Sequence, residues 1–226
     1  MADPLEATAP WERPGWMGPE EFYACEGVDD WRFVGDGIQT FFPTDSFAIG
    51  ARLIQAMADL PAIDADHLPD VDLRPDGVTV RLTTITSGRF FAGIGARHVE
   101  IARQISVAAR ELGIPADPAR TQHLQVSVDA LSIPDVMPFW REALGYEFRR
   151  DTDEDVVDPR GRGPSFWFQQ MKEPRRERNR IHVDIKVPPE QAEARIAAVL
   201  AAGGRRADPD HPWIFADPEG NEVCLG

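Results

Sequence analysis

The chain has 226 residues and a strong acidic excess, with 24 Lys and Arg against 38 Asp and Glu and a formal net charge of -14. Nucleic acids and anionic membranes attract basic surfaces, so this charge argues against either as the main partner. The hydrophobic fraction of 42% is enough for packed cores, and a wholly disordered chain is therefore excluded.

The cellular compartment is predicted from the start of the chain and from the cysteines. No apolar run approaches the roughly 18 residues that a membrane-spanning helix needs, and residues 1–6 lack the basic and apolar stretches of a secretory signal. Cys25 and Cys224 lie near opposite ends and match no disulfide-rich or zinc-binding spacing. We therefore expect a reduced, soluble, cytoplasmic protein.

The length suits two domains of roughly 100–120 residues each. Gly113, Pro115 and Pro118 end a helix, and a strand pattern restarts at His123. We predict an N-terminal arm over 1–18, a first domain over 19–113, a linker over 114–120 and a second domain over 121–226.

The first half predicts two hairpins among three helices. Asp36-Gly37 is a hairpin turn between two apolar runs, and the later strand over 78–83 alternates apolar and polar residues. Ser46 is a helix cap. In chain order the predicted elements are a helix over 19–25, a hairpin over 31–43, a helix over 46–57, a hairpin over 70–84 and a helix ending at 112. The expected fold is α+β, an antiparallel sheet with helices on one face in the order α-β-β-α-β-β-α.

The second half repeats one pattern, a strand, a helix and three further strands. The first copy begins with an alternating strand over 123–130, and the second begins with a strand over 180–187. His123 and His182 stand at the heads of these two strands. Repetition of this kind indicates paired βαβββ modules, a pseudo-symmetric fold with a central cleft.

Residues 66–73 read Asp-His-Leu-Pro-Asp-Val-Asp-Leu and precede the alternating strand. This stretch resembles the pterin-4a-carbinolamine dehydratase family, and the resemblance covers roughly residues 18–113. The family pattern is His-His-Pro, an aromatic residue six positions later and a third His ten positions after that. His67 and Pro69 match, whereas Leu68, Pro75 and Ile85 occupy the other three positions.

The resemblance implies proton transfer by histidine. Dehydration of a carbinolamine requires one proton delivered and one removed, for which imidazoles are suited. His67 and the flanking Asp72 are the candidate catalytic residues, and Arg81 is assigned to substrate binding. The alternative is that His67 is a loop residue and Asp72 a turn residue. The missing histidines predict weak or absent dehydratase activity. His98 stands where family members carry an acidic residue, and we predict a surface or capping role for it.

The predicted last strand follows the turn Asp-Pro-Glu-Gly at residues 217–220. This C-terminal sequence is the second feature of the pattern, beside the two histidines at the strand heads. Together they resemble the vicinal oxygen chelate superfamily, which includes glyoxalase I, extradiol dioxygenases and resistance proteins for bleomycin and fosfomycin. The resemblance covers about residues 121–226. It implies a divalent metal, held by first and last strands of the repeats, that chelates neighbouring substrate oxygens.

The ligand positions carry over in part. His123 and His182 match the strand-head ligands, while Cys224 stands where the final Glu is expected and Glu222 lies two residues earlier on the same face. The implied metal is Fe, Mn, Ni or Zn, and Cys224 would favour zinc. We assign Trp167 and Gln169 to substrate binding and Glu222 also to catalysis. The alternative is a metal-free cleft in which Cys224 is an ordinary buried residue.

We therefore predict a small-molecule enzyme of lyase type, resembling a 4a-hydroxytetrahydrobiopterin dehydratase fused to a glyoxalase-like domain. The dehydratase activity is expected to be weakened or lost. The alternative is a non-catalytic protein that binds a metabolite, an antibiotic or a pterin. Because the family resembled by the first half commonly self-associates, we also expect a homodimer.

Overall fold

The computed structural model describes residues 15–65, 67–85, 92–149, 152–174, 177 and 181–225. Most of the arm predicted over 1–18 lies outside the described residues. The chain divides into two compact units, residues 1–123 and 124–226. Within the described ranges, every helix is too short or too polar to cross a bilayer.

The first unit contains a four-stranded antiparallel sheet in the order β1-β2-β4-β3. Its strands are β1 Arg32–Val34, β2 Gly37–Pro43, β3 Asp70–Arg74 and β4 Gly77–Leu82. Both predicted hairpins are present, since β1 pairs with β2 and β3 pairs with β4. A further two-stranded pair, β5 Thr84–Ile85 with β6 Ala92–Gly93, was not predicted.

Three helices accompany this sheet: α1 Pro19–Tyr23, α2 Phe47–Ala58 and α3 Ala96–Glu111. Ser46 caps α2 as predicted, because its hydroxyl accepts a hydrogen bond from the Ile49 amide at 3.3 Å. The core lies between α2, α3 and one face of the sheet, and its fully buried side chains include Ile38, Phe42, Leu53, Val78, Val80, Ile101 and Ile105. The expected α+β layer with helices on one face is confirmed.

The segment predicted as a linker packs on the first unit. Residues Pro118–Arg120 form a short 3-10 turn, and the Asp117 amide donates to the Phe41 carbonyl at 2.7 Å. The Arg120 guanidinium lies 4.0 Å from the centre of the Phe41 ring and 2.8 Å from the Asp76 carboxylate. These contacts attach the segment to β2 and to the β3–β4 turn.

The second unit contains two βαβββ modules, as predicted. The first consists of β7 Gln125–Ala130, α4 Ile133–Leu144, β8 Glu147–Phe148, β9 Asp155–Val157 and β10 Ser165–Gln170. The second consists of β11 Val183–Ile185, α5 Pro189–Ala201, β12 Arg205–Arg206, β13 Ile214–Ala216 and β14 Glu222–Leu225. Both sheets have the same order, with the first strand of the module beside its last strand and parallel to it.

Alternation along these strands separates a buried face from an exposed one. In β7, Val128 and Ala130 are buried, whereas Ser127 and Asp129 are exposed on the other face. The buried faces of both modules contribute to one core with α4 and α5, which includes Phe139, Phe166, Phe168, Val199, Phe215 and Val223. The polar faces are therefore available to build a site.

Candidate functional site

The strongest candidate site lies on the polar face of the second module, where β11 runs parallel to β14. The register places Asp184 opposite Cys224. His182 precedes Asp184 by two residues, so its side chain emerges on the same face of the strand. A histidine, an aspartate and a cysteine thereby converge at the start of β11 and the end of β14.

The side-chain distances support this placement. One ligand atom from each of His182, Asp184 and Cys224 lies within 4.8 Å of the other two. His182 Nε2 lies 3.2 Å from Asp184 Oδ1. His182 and Asp184 are exposed, while Cys224 is buried. The group is therefore accessible from solvent on the side of His182 and Asp184.

Burial and two neighbouring carboxylates determine the protonation of Cys224. Burial raises the pKa of the Cys224 thiol, and its hydrogen bond to Asp184 and the negative charges of Asp184 and Glu222 raise that pKa further. Lys186 acts in the opposite direction but more weakly than Asp184. The thiol is therefore protonated at neutral pH, which argues against Cys224 as a free nucleophile.

A cavity of about 640 Å³ adjoins this group within the second unit. His182 belongs both to the cavity wall and to the three-residue group, and Glu222 lies on the same wall. The remaining walls come from β7, α4, the segments before β11 and the turn before β14, and include Val126, Ser127, Asp129, Trp140, Met171 and Ile181. The cavity thus combines apolar walls with a polar end.

The turn before β14 is held by one buried carboxylate. Asp217 Oδ2 accepts hydrogen bonds from Trp140 Nε1 at 3.0 Å and Asn221 Nδ2 at 2.8 Å. Asp217 Oδ1 accepts from the backbone amides of Glu219 and Asn221, both at 2.9 Å. Gly220 has φ 95, a left-handed conformation that favours glycine. This turn fixes the approach to β14 and therefore the position of Glu222.

The predicted metal ligands are brought together only in part. The group contains His182 and Cys224, adds Asp184, and does not include Glu222 or His123. His123 lies in the first unit, where its ring packs on Gly35 so closely that a Cβ at that glycine would lie 2.7 Å from it. Strand β7 begins at Gln125, later than expected.

Asp184 is the residue that sequence reasoning missed. The available signal was its spacing, because residues 182 and 184 of a strand face the same way. The parallel register that places Asp184 beside Cys224 is a tertiary feature, and nothing in the local sequence indicated it.

The predicted substrate-binding residues of β10 lie on its polar face. Trp167 and Gln169 alternate with the buried Phe166 and Phe168. Trp167 Nε1 donates to Glu154 Oε2 at 3.1 Å, and Gln169 is exposed. Neither residue belongs to the wall of the cavity described above, so their role in binding remains a prediction.

The candidate residues of the first unit occupy two places. Asp72 pairs with Arg74 at 2.9 Å, and Arg81 pairs with Asp70 at 4.0 Å, all on the sheet face opposite the helices. The Arg81 Nε is buried and has no hydrogen-bond partner in the described part of the chain. His67 instead lies beside His98 at the start of α3, with ring centres 5.4 Å apart.

A surface position was one of the two roles predicted for His98, and it is wrong, because the residue is buried. Its capping role is present, because the Gly95 amide donates to His98 Nδ1 at 3.0 Å. Burial, and to a lesser extent the neighbouring His67, lowers the pKa of His98 to about 4. His98 is therefore neutral at physiological pH.

Comparison with known proteins shows a similarity in the second unit. Residues 125–226 match the family model described as "Glyoxalase-like domain", and no curated protein matches the chain. Among solved structures, the hypothetical protein SA1046 from S. aureus is similar at 14% identity with a TM-score of 0.37, over 46% of this chain and 92% of that one.

Two fosfomycin-resistance proteins named FosX are also similar. The protein from Mesorhizobium loti has 12% identity and a TM-score of 0.35, over 45% of this chain and 87% of that one. The protein from Listeria monocytogenes, solved with Mn(II) and dihydroxypropylphosphonic acid, has 12% identity and a TM-score of 0.33, over 45% and 85%.

The two βαβββ modules occupy the same residues as the match to the glyoxalase-like family model, 125–226. The family match begins at residue 125 and does not extend into the first unit.

Proposed function

We propose that the protein is a small-molecule enzyme of lyase type, whose second unit holds a divalent metal at His182, Asp184 and Cys224. The observation that carries this proposal is the convergence of three different donors within 4.8 Å of one another, one of which, His182, also lines the cavity. The proposed ligand set replaces His123 and Glu222 by Asp184, because Asp184 is in the group and they are not.

The donor set suits zinc. Imidazole nitrogen, carboxylate oxygen and thiolate sulfur are the ligand types of Zn²⁺ sites, and three protein ligands leave a position open to substrate. A divalent cation would also reverse the local electrostatics, since the thiol that now hydrogen-bonds to Asp184 would ionise against it. Fe, Mn and Ni remain the other candidates, and sulfur makes the harder Mn the least favoured of them.

A metal bound there would supply Lewis acidity toward the oxygen atoms of a substrate. The residues of the chain have their own tasks. The Glu222 carboxylate lies on the cavity wall, where it accepts a proton from bound substrate. Ser127 and Asp129 present polar groups to substrate hydroxyls, while Val126 and Ile181 line the wall with apolar groups that exclude water.

The proposal is tested by metal content. Protein purified without chelator and then supplied with Zn²⁺ should bind near-stoichiometric metal by elemental analysis, and His182→Ala, Asp184→Asn and Cys224→Ser should each lose it. His211→Ala is the matched control, because His211 forms a second exposed His–Asp pair, with Asp208 at 2.9 Å.

Two outcomes would contradict the proposal. Metal binding equal in His182→Ala and wild type would exclude this ligand set. An empty wild-type site after zinc, iron, manganese and nickel have been supplied would favour the alternative, a non-catalytic protein that binds a metabolite, an antibiotic or a pterin in the cavity.

For the first unit we propose weak dehydratase activity of the pterin-4a-carbinolamine type, with His67 as the catalytic residue, Asp72 as a further candidate and Arg81 as a binding residue. The support is the resemblance at His67 and Pro69, together with the buried Nε of Arg81, which has no hydrogen-bond partner among the described residues. We further propose a cytoplasmic homodimer that acts on small molecules and binds neither nucleic acid nor membrane, as the net charge of -14 favours.

A further inference from the structure

The cavity of the second unit lies against the edge of a strand rather than against one face of it. The four consecutive residues 126–129 of β7 all belong to the cavity wall. Successive side chains of a strand point to opposite faces of the sheet, so a cavity that touches all four residues must meet the edge between the two faces. β7 is an outermost strand of its sheet, with β10 as its partner among the described strands. The cavity therefore adjoins the open edge of β7.

Two hydrogen bonds show which backbone groups face that open edge. The Ala130 carbonyl accepts from the Met171 amide at 2.8 Å, so Ala130 directs its backbone groups toward β10. Along a strand of a parallel pair, the N–H and C=O of one residue point to the partner and those of the next residue point away. The Leu131 amide accordingly points away from β10, and it donates to Glu219 Oε2 at 2.8 Å. The odd-numbered residues of β7 therefore face the open edge.

This edge presents four backbone groups to the cavity. They are the N–H and C=O groups of Ser127 and Asp129, and none of the four has a hydrogen-bond partner at the edge among the described residues. At Leu131, the next position along the edge, a carboxylate oxygen of Glu219 takes the place of a strand acceptor. Residues two apart in a strand are separated by about 6.6 Å, which is also the repeat of any other extended chain. An extended peptide can therefore pair with all four groups at once.

The side chains on the two sides of the edge predict which peptide fits. On one side, Val126 and Val128 line the cavity together with Trp140 and form an apolar surface. On the other side, Asp129 is exposed and, like Glu177, contributes a carboxylate to the wall. The described part of the wall contains no lysine or arginine. A peptide that alternates apolar and basic residues complements both sides.

We propose that the cavity binds a peptide in extended conformation, which pairs through its backbone with the open edge of β7 and places basic side chains beside Asp129. The inference names the ligand class of the cavity used in the proposed function, and it rests on that function for the cavity being the functional site. The peptide edge belongs to β7, whereas the metal group belongs to β11, β14 and the residue before β11. The two can therefore be tested separately.

The first experiment measures peptide binding to the full chain by fluorescence anisotropy in the presence of a chelator. The probe is a labelled pentapeptide, Val-Lys-Val-Lys-Val, with blocked ends. Two further forms carry N-methyl groups, one on both lysine amides and the other on the amides of the second and third valines. Because alternate amides of a paired strand face the same way, one methylated form should bind about tenfold more weakly and the other like the parent.

Equal affinities of the two methylated forms, or no binding of the parent peptide, would overturn the edge pairing. Val-Glu-Val-Glu-Val is the charge control, and it should bind more weakly than the lysine peptide because the described wall is acidic. Equal binding of the two would overturn the preference for basic side chains.

The second experiment changes and observes the strand itself. Ser127→Pro removes an N–H that faces the cavity, and an edge strand tolerates proline there because no ladder hydrogen bond is lost. It should weaken peptide binding more than Ser127→Ala, which keeps the backbone N–H. In the wild-type chain, bound peptide should slow amide hydrogen exchange at Ser127 and Asp129 and change it little at Val128, whose amide points to β10. Exchange that is unchanged at Ser127 and Asp129 overturns the pairing.

These results are separable from those for the metal. Peptide binding by a chain that takes up no metal supports the edge pairing and overturns the metal site. Zinc bound at His182 without peptide binding overturns the edge pairing and leaves the metal site standing.

Discussion

Cys224 illustrates how one neighbour sets the chemistry of a side chain. The residue is buried, and its thiol faces the Asp184 carboxylate across the β11–β14 pair. Both conditions disfavour the thiolate, because neither low polarity nor a nearby negative charge stabilises an anion. If a cation were bound between the two groups, the Asp184 carboxylate would help to hold it.

We expect Cys224 to react slowly with iodoacetamide at pH 8, because the thiolate is the reactive form and its population is small. In a Cys25→Ser background, Asp184→Asn should accelerate alkylation, since it removes the charge that raises the pKa of the thiol. Mass spectrometry over time measures the modified fraction. The idea fails if Asp184→Asn leaves the rate unchanged or slows it. In the unmodified sequence, prior addition of Zn²⁺ should protect Cys224 further.

His98 should make the stability of the protein depend on pH. Its pKa is about 4 in the folded chain and 6.5 ordinarily, so the unfolded chain binds the proton first as pH falls. The stabilisation is complete above pH 6.5 and is lost as pH falls toward 4, at up to about 1.4 kcal/mol per pH unit. His98→Gln keeps a side chain that can accept from Gly95 and removes the titration.

Urea unfolding at pH 7 and pH 5 tests this expectation. The free energy of unfolding of wild type should fall more between the two pH values than that of His98→Gln, and the difference isolates His98 from the other titrating groups. Equal losses in the two proteins would show that His98 does not titrate abnormally.

The β13–β14 turn depends on a single side chain, the carboxylate of Asp217. Among the described residues, the Asp217 carboxylate accepts four hydrogen bonds from three residues, two at each oxygen. An asparagine offers one oxygen only, and its amide nitrogen would face donors. The sequence Asp-Pro-Glu-Gly therefore needs two acceptor oxygens at its first position to fold as it does.

We expect Asp217→Ala to lower the free energy of unfolding by about 2–4 kcal/mol, because buried donors lose their acceptor oxygens. Asp217→Asn should lower it by less, because one acceptor oxygen remains. Asp210→Asn, at an exposed aspartate of the same unit, should change stability little. Tryptophan fluorescence during urea unfolding gives the comparison. Full stability in Asp217→Asn would mean that the carboxylate is dispensable.

The second unit contains every residue of the proposed metal site, so we predict that a fragment of residues 124–226 binds zinc as the full chain does. A fragment of residues 121–226, which retains His123, is the comparison. Isothermal titration of both fragments with Zn²⁺ should give equal stoichiometry and affinity. Weaker binding by the shorter fragment would restore His123 as a ligand, as the sequence first indicated.

The homodimer expected from the first half is tested by mass. Sedimentation equilibrium at neutral pH should give about twice the 25.2 kDa of the chain, and the dimer should persist at 0.5 M salt, where repulsion between chains of net charge -14 is screened. A monomer at every concentration tested would remove the dimer from the proposed function.

Much of the architecture was predictable because its causes are local. The Ser46 cap, the turn at Asp36 and the alternation of Val78, Val80 and Leu82 depend on residues close in sequence, and those elements formed where expected. The two modules were predictable for a related reason, since a repeated pattern of polar and apolar residues folds twice into the same unit.

The sites were predictable only as lists of candidate residues. By itself the sequence determined the α+β class, the repeat and the presence of His67, His182 and Cys224 near useful positions. Only the tertiary structure decided that Asp184 stands opposite Cys224 and that His98 lies against His67. The reason is physical, since strand register and helix packing bring together residues far apart in the chain, and the distances that determine metal binding and proton transfer exist only after that packing.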